Sequence, residues 1–313
     1  MDFIVKKTTE CSQDELKQIN QLYNDIFDKK LSLGFMLNQY TQNPFGYSYH
    51  SLIYDDDTIV GMNVYVPVYF RKDGEKVLMA NSIDSMVSKP YRDYFNYHDM
   101  VQAAYKYMKK EGIKFVCGYP NDKAYPVVVK SKLMKEIGKM YTYTLPYRIG
   151  GIKKGLSFLN SLSEGFCLCW AFTCSLFASK KVVAFKYDKD LDSYNATRYK
   201  RDDGQYTIKE GFVYKIMDYE GIRTVFLVDV FEKSPYQFCK AVMYILKNEG
   251  SKFDILLYPG YLPFSLTGMI KIPHKFEPKH FYYTGKLLDK SFAGDDIWDI
   301  TNWDTNLSNY DLL

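Results

Sequence analysis

Asp84 closes an apolar stretch, VLMANSIDSMV, and Arg92 follows across a Ser88-Lys89-Pro90 break. A carboxylate at the end of an apolar strand can serve as a base poised by partial burial. The first N–H groups of the helix expected after the break have no intrahelical partners, so they can hold anionic oxygen, and Arg92 can pair with the same phosphate. Asn121, just past the apolar run KFVCGYP, can offer its amide to a ligand. Each residue also has a plainer use. Asp84 can satisfy a turn, Arg92 can lie on solvated surface, and Asn121 can cap a helix after Pro120.

The elements that would position these groups are legible in the patterning. Ser12 followed by Glu15 has capping-box spacing, and Leu16, Ile19, Tyr23, Ile26 and Phe27 recur at helical spacing, which predicts an amphipathic helix over 13–29. HSLIY, the turn DDDT and IVGMNVYVPVYF predict a hairpin, and VLMANSIDSMV a third strand after the KDG turn. Met100, Ala104, Tyr107, Met108 and Glu111 mark a helix over 97–111 that Gly112 stops. KFVCGY is then a short buried strand, followed by the helix-like AYPVVVKSKL and by MYTYTLPY.

A phrase recurs: KKEGIKFVCGYP begins at Lys109 and KNEGSKFDILLYP at Lys247. Around the second copy the order is the same, with the strand–turn–strand GFVYKIMDYEGIRTVFLVDVF, the Ser234-Pro235 break, a helix and a strand. Two strand–strand–helix–strand units imply a duplication. The second unit is shorter between its strand-ending Asp229 and its KNEG phrase, where an anion-wrapping turn would sit. It therefore reads as a structural partner; if a cofactor binds, it binds the first half.

The segment from Ile83 to Leu133, IDSMVSKPYRDYFNYHDMVQAAYKYMKKEGIKFVCGYPNDKAYPVVVKSKL, resembles the core of the GNAT acetyltransferase superfamily, in the flavour of its tandem members found near bacterial surface-polysaccharide genes. The resemblance spans about 1–147 and, more weakly, 185–288. It implies that the strand ending Met86-Val87 offers backbone groups to the pantetheine of acetyl-CoA. It implies too that the turn Arg92-Asp93-Tyr94-Phe95-Asn96 wraps the pyrophosphate and that Asn121 contacts the cofactor. Asp84 would be the base. The sequence departs from the family pattern at three places, one being Lys132-Leu133 where Gly-Phe is usual. No glycine occurs over 93–97, where glycines normally let backbone approach phosphate, and Val128 stands where a thiolate-protonating Tyr is usual, with Tyr125 nearby as the substitute.

The expectation is an α/β (α+β) protein of two tandem GNAT-like halves, each a mixed, mostly antiparallel sheet flanked by helices. The boundaries are 1–147, a connecting segment 148–184, 185–290, and an acidic-aromatic tail 291–313. The implied function is acyl transfer from acetyl-CoA to an amine, such as an amino sugar. A Fem-type aminoacyl transferase and a non-catalytic binding protein on a degenerate fold remain open.

The rest of the composition narrows the classes. A net charge of +4 without a dense basic tract argues against a nucleic-acid reader. The 6 Cys form no spaced disulfide framework and MDFIVKKTTE has no apolar signal core, so reduced thiols and a cytoplasmic setting are expected. His50, His98, His274 and His280 share no metal-ligand spacing, Cys167, Cys169 and Cys174 lack a CxxC pair, and no metal is assigned. The 30 Tyr and 21 Phe read as core and sheet-face residues. Gly165 to Ala178 is too short to span a bilayer and reads as a buried connecting helix or hairpin, with Cys as small hydrophobes; its Lys153-Lys154 and Lys180-Lys181 flanks leave peripheral membrane contact as the alternative. Trp298 and Trp303 among the tail carboxylates either pack the tail down or stack on a sugar.

Overall fold

A computed structural model describes residues 1–201, 205–277 and 279–309. Residues 310–313 of the expected tail, Asp311 among them, lie outside the described residues. The architecture is the expected mixed α/β one, with mostly antiparallel sheet flanked by helices. It divides into two compact units. Unit 1 comprises Met1–Gly138, Tyr187–Asp203 and Tyr282–Asn302, and unit 2 comprises Lys139–Lys186, Gly204–Phe281 and Trp303–Leu313. These units are interleaved, whereas the sequence boundaries at 147, 184 and 290 are contiguous. The reason is strand pairing at long range: Tyr187–Lys189 joins the sheet of unit 1, as does Thr284–Leu287.

In unit 1, β1 (Asp2–Lys7), β2 (Tyr49–Asp55), β3 (Thr58–Lys72) and β4 (Glu75–Val87) pair antiparallel in that order, and β5 (Phe115–Gly118) runs parallel to β4. Alternation along the strands sends Leu52, Met62 and Val64 to one face, where Ile19 and Leu22 of α1 (Gln13–Phe27) and Met36 and Tyr40 of α2 (Leu33–Thr41) cover them. The opposite face carries Tyr49, Tyr65, Ala80 and Val116 under Val101, Ala104, Tyr105 and Met108 of α3 (Tyr94–Lys110) and Val128 of α4 (Tyr125–Lys130). Ser12 and Glu15 form the capping box read from the sequence. The α3 helix starts at Tyr94, before the expected 97, because Asp93 caps it.

His50 on β2 is fully buried, with its Nε2 2.9 Å from Thr8 Oγ1. Burial disfavours its charged form and lowers its pKa to about 4 from 6.5. The unfolded chain therefore binds this proton first as the pH falls, and stability is lost from about pH 6.5 down to about 4. The His50 contribution to that loss is of order 3 kcal/mol, from the shift of about 2.5 units at 1.36 kcal/mol each. Urea unfolding at pH 7.5 and pH 4.5 should show a steeper acid loss for the native chain than for His50→Gln. Equal slopes would place the acid sensitivity elsewhere.

In unit 2, strands Phe212–Tyr219 and Ile222–Val230 form an antiparallel hairpin, the Pro235–Glu249 helix follows, and Ile255–Gly260 returns parallel to the hairpin's second strand. This is the same local order as β3–β4–α3–β5. Residues 141–145 pair antiparallel with 256–260. The connecting segment corrects the sequence reading. It forms the Asn160–Phe177 helix, which buries Cys167, Ala171 and Cys174 but leaves its other face, Cys169 included, exposed.

Candidate functional site

The site is set by one extra residue in β4. Val64 pairs with Ile83 and Met62 with Met86, so two steps on β3 face three on β4. Such a bulge bends the strand and re-aims its side chains. Asp84 sits in it at φ 45°, a left-handed conformation that Asp adopts more readily than most residues. The Tyr40 hydroxyl of α2 donates to Asp84 Oδ2 at 2.9 Å.

The two parallel strands part at the same place. Their ladder runs from Met79–Phe115 to Ser82–Gly118, after which β4 continues against β3 as far as Val87 while β5 ends. The chain leaves β5 through Tyr119-Pro120, and proline has no N–H to extend a ladder. Ile83–Val87 thus flanks a divergence, the geometry that admits an extended ligand arm along main-chain groups. Met86 and Val87 turn their own side chains into the core, leaving backbone as their contribution to a ligand. Asn81, 9% exposed and paired with Cys117 just before the strands part, has no hydrogen-bond partner at its Oδ1 among the described residues. A buried acceptor of that kind is costly unless a donor meets it.

At the mouth, exposed Arg92 donates from Nε to the Val87 carbonyl at 2.7 Å, which holds the guanidinium at the end of β4. Asp93 caps α3, accepting from the Asn96 N–H at 2.7 Å, while Asn96 Nδ2 donates to the Tyr91 carbonyl and to Asp93. The Asp93 carboxylate therefore occupies one of the helix-terminal donors and puts negative charge where a phosphate would otherwise sit. Tyr94 and Phe95 are exposed beside it. Asn121 Oδ1 accepts from Lys123 N and Ala124 N at 3.0 and 2.9 Å, closing the turn that leads into α4. The Tyr125 hydroxyl donates to Glu136, and its ring stacks on Tyr282 at 3.8 Å.

The fold thus gathers Asp84, Met86, Val87 and Arg92 along one strand end, and gives Asp93, Asn96 and Asn121 backbone caps to hold. Sequence reasoning did not single out Tyr40, which contacts Asp84 from a helix that the patterning did not announce, nor Tyr97, whose hydroxyl bonds Ser85 in the same bulge. Burial raises the Tyr97 pKa, with the Ser85 contact opposing, so this phenol keeps its proton at neutral pH.

Unit 2 repeats the bulge but fills the space. Leu227 pairs with Tyr214 and Asp229 with Val213, again one residue in excess, just beyond the parallel pairs that end at Phe226. There Lys233 Nζ lies 2.6 Å from Asp229 and 3.1 Å from Asp304, and Asn306 Nδ2 donates to Asp229 at 2.8 Å. Burial alone would lower the Lys233 pKa, but Asp229 and Asp304 together hold it well above its ordinary value. Asp304 and Asn306 come from the chain's last segment, which bonds back through Tyr261 N to Thr305 O at 3.0 Å. Trp303 packs it down, fully buried.

One cluster brings together two of the four histidines in which the sequence showed no metal-ligand spacing. His274, Glu277 and His280 bring their ligand atoms within 4.8 Å of one another. Glu277 already accepts from His274 Nδ1 at 2.7 Å and from Thr142 N at 2.7 Å.

Comparison with known proteins bears on the fold that carries these residues. Residues 7–127 match the acetyltransferase (GNAT) domain model. No curated protein matches the chain. Among solved structures, a conserved protein of unknown function from Enterococcus faecalis V583, described as a probable N-acyltransferase, is 12% identical, with 92% of this chain and 73% of that one covered and a TM-score of 0.58. A GCN5-related N-acetyltransferase from Anabaena variabilis ATCC 29413 is 12% identical over 91% of this chain and 73% of its own, with a TM-score of 0.58. One from Kribbella flavida is 13% identical over 92% and 71%, with a TM-score of 0.54. At such identities the likeness concerns the fold. The protein has a GNAT-like mixed α/β fold in which residues 7–127 match a GNAT acetyltransferase domain.

Proposed function

We propose that the protein is an acyl-CoA-dependent N-acyltransferase with acetyl-CoA bound in the divergence between β4 and β5 of unit 1, and an amine such as an amino sugar as acceptor. The observation that carries this reading is the contrast between the two bulged strands. In unit 2 the bulged strand meets a buried Lys233–Asp229–Asp304 network; in unit 1 it runs on past the end of β5 to Val87, whose carbonyl accepts from Arg92, and Asn81 Oδ1, within the last pairs of the ladder, has no hydrogen-bond partner among the described residues. When bound, acetyl-CoA supplies the activated acyl group. Residues 83–87 would hold its pantetheine by main-chain hydrogen bonds, and Arg92 a phosphate. Asp84, oriented by Tyr40, would take the proton from the amine, while the site aligns amine and thioester. Tyr97 stands close enough to the bulge to serve as the proton donor that Val128 cannot be. The two units sharing one local order suits a duplication in which the second copy became structural.

The capping of α3 by Asp93 favours a second reading, a binding protein that no longer takes the cofactor. Calorimetric titration with acetyl-CoA separates the two. Saturable binding, weakened about tenfold or more in Arg92→Ala through loss of a charge-assisted phosphate contact, is the expected result. Absence of heat and of thermal stabilisation at millimolar acetyl-CoA would give the case to the binding protein.

A further inference from the structure

The Asn160–Phe177 helix exposes a run of large apolar side chains on the face away from its packing: Leu162 is 70% exposed, Phe166 54%, Phe172 53%, Leu176 64% and Phe177 72%, with Trp170 at 40%. The exposed arc between them holds Ser161, Gly165, Cys169 and Thr173, and no charge. Glu164 is the helix's sole charged residue; it lies on the packed side, ion-paired with Arg148 at 3.0 Å. Soluble surfaces rarely leave so continuous an apolar face uncovered. Lys153 and Lys154 precede the helix and Lys180 and Lys181 follow it, all exposed. The patch continues past its C-terminal end to Tyr236, whose N–H donates to Ser179 O at 3.1 Å and whose ring lies 5.1 Å from Lys180 Nζ.

We propose that this helix lies in the plane of an anionic lipid surface, apolar face down, with the lysine pairs at its two ends on the headgroups. Length excludes crossing: its 18 residues extend about 27 Å, and no helix among the described residues is long and apolar enough to span a membrane. Charge selects the occupant. Both ends are positive, so a second copy laid on this face, parallel or antiparallel, sets lysine against lysine, whereas an anionic bilayer is complementary at both ends. A Trp and several Phe on an uncharged face with flanking lysines is the composition that partitions into the interface.

The test is co-sedimentation of the full chain with vesicles of phosphatidylcholine alone and of a phosphatidylglycerol-rich mixture, at low and high salt. Binding to the anionic vesicles is expected, weakened by salt. Each Lys→Gln change at 153, 154, 180 or 181 should weaken partitioning about fivefold. Phe166→Ser and Leu176→Ser should each weaken it roughly tenfold. Because these side chains are exposed, the variants should keep the native unfolding midpoint and acetyl-CoA binding, which separates this proposal from the acyltransferase reading. No sedimentation with anionic vesicles at low salt overturns it. So does a dimer in analytical ultracentrifugation that Phe166→Ser dissociates, which would assign the face to a second copy.

Discussion

Lys233→Met should cost unit 2 about 3–5 kcal/mol, the usual loss when one partner of a buried ion network is removed. The Lys233 side chain is 4% exposed and stands between two carboxylates, Asp229 at 0% and Asp304 at 4%. Without it, the two carboxylates lose the ammonium that stands between them, while Asp229 keeps Asn306 Nδ2 and Val230 N as donors. Asp229→Asn should cost less, because the Lys233–Asp304 pair survives it. Urea unfolding at pH 7 measures both. The Lys233→Met deficit should also shrink as the pH is lowered through the carboxylate range, since protonating either acid removes an uncompensated charge. A deficit below about 1 kcal/mol, or one that grows in acid, would show that the network does not hold the last segment in place.

The second large effect concerns catalysis and rests on the proposed acyl transfer. Asp84→Asn should lower kcat by about 10²–10⁴ and leave acetyl-CoA affinity within about twofold, as expected when a general base is lost while binding groups remain. Asn is the informative substitution because it tolerates the left-handed backbone of the bulge, where φ is 45°. Ala would mix strain with chemistry. Tyr40→Phe removes the 2.9 Å hydrogen bond to Asp84 and keeps the carboxylate, so a smaller fall in kcat with a displaced pH–rate profile is expected. Full turnover by Asp84→Asn would reduce Asp84 to a residue that shapes the bulge.

Much of this fold was legible because it depends on neighbours in the chain. Ser12 and Glu15 form the capping box their spacing announces, and the alternation in β3 sorts Met62 and Val64 from Tyr65. Asp84 could be singled out as a carboxylate late in an apolar strand. Its partner could not: Tyr40 lies 44 positions away, on a helix whose patterning is too weak to announce it. The reading of Tyr125 likewise rested on local spacing, and Glu136 and Tyr282 decide its surroundings.

By itself, the sequence determined the succession strand, strand, break, helix, strand in both halves, since periodicity, caps and turn residues act over a few positions. Only the tertiary structure decided what each bulged strand meets. In unit 2 the last segment returns to place Asp304 and Asn306 against Lys233 and Asp229. It also decided that the Asn160–Phe177 helix buries one face and bares the other. Hydrophobicity records what a side chain would avoid; which distant segment arrives to cover it is set by long-range packing.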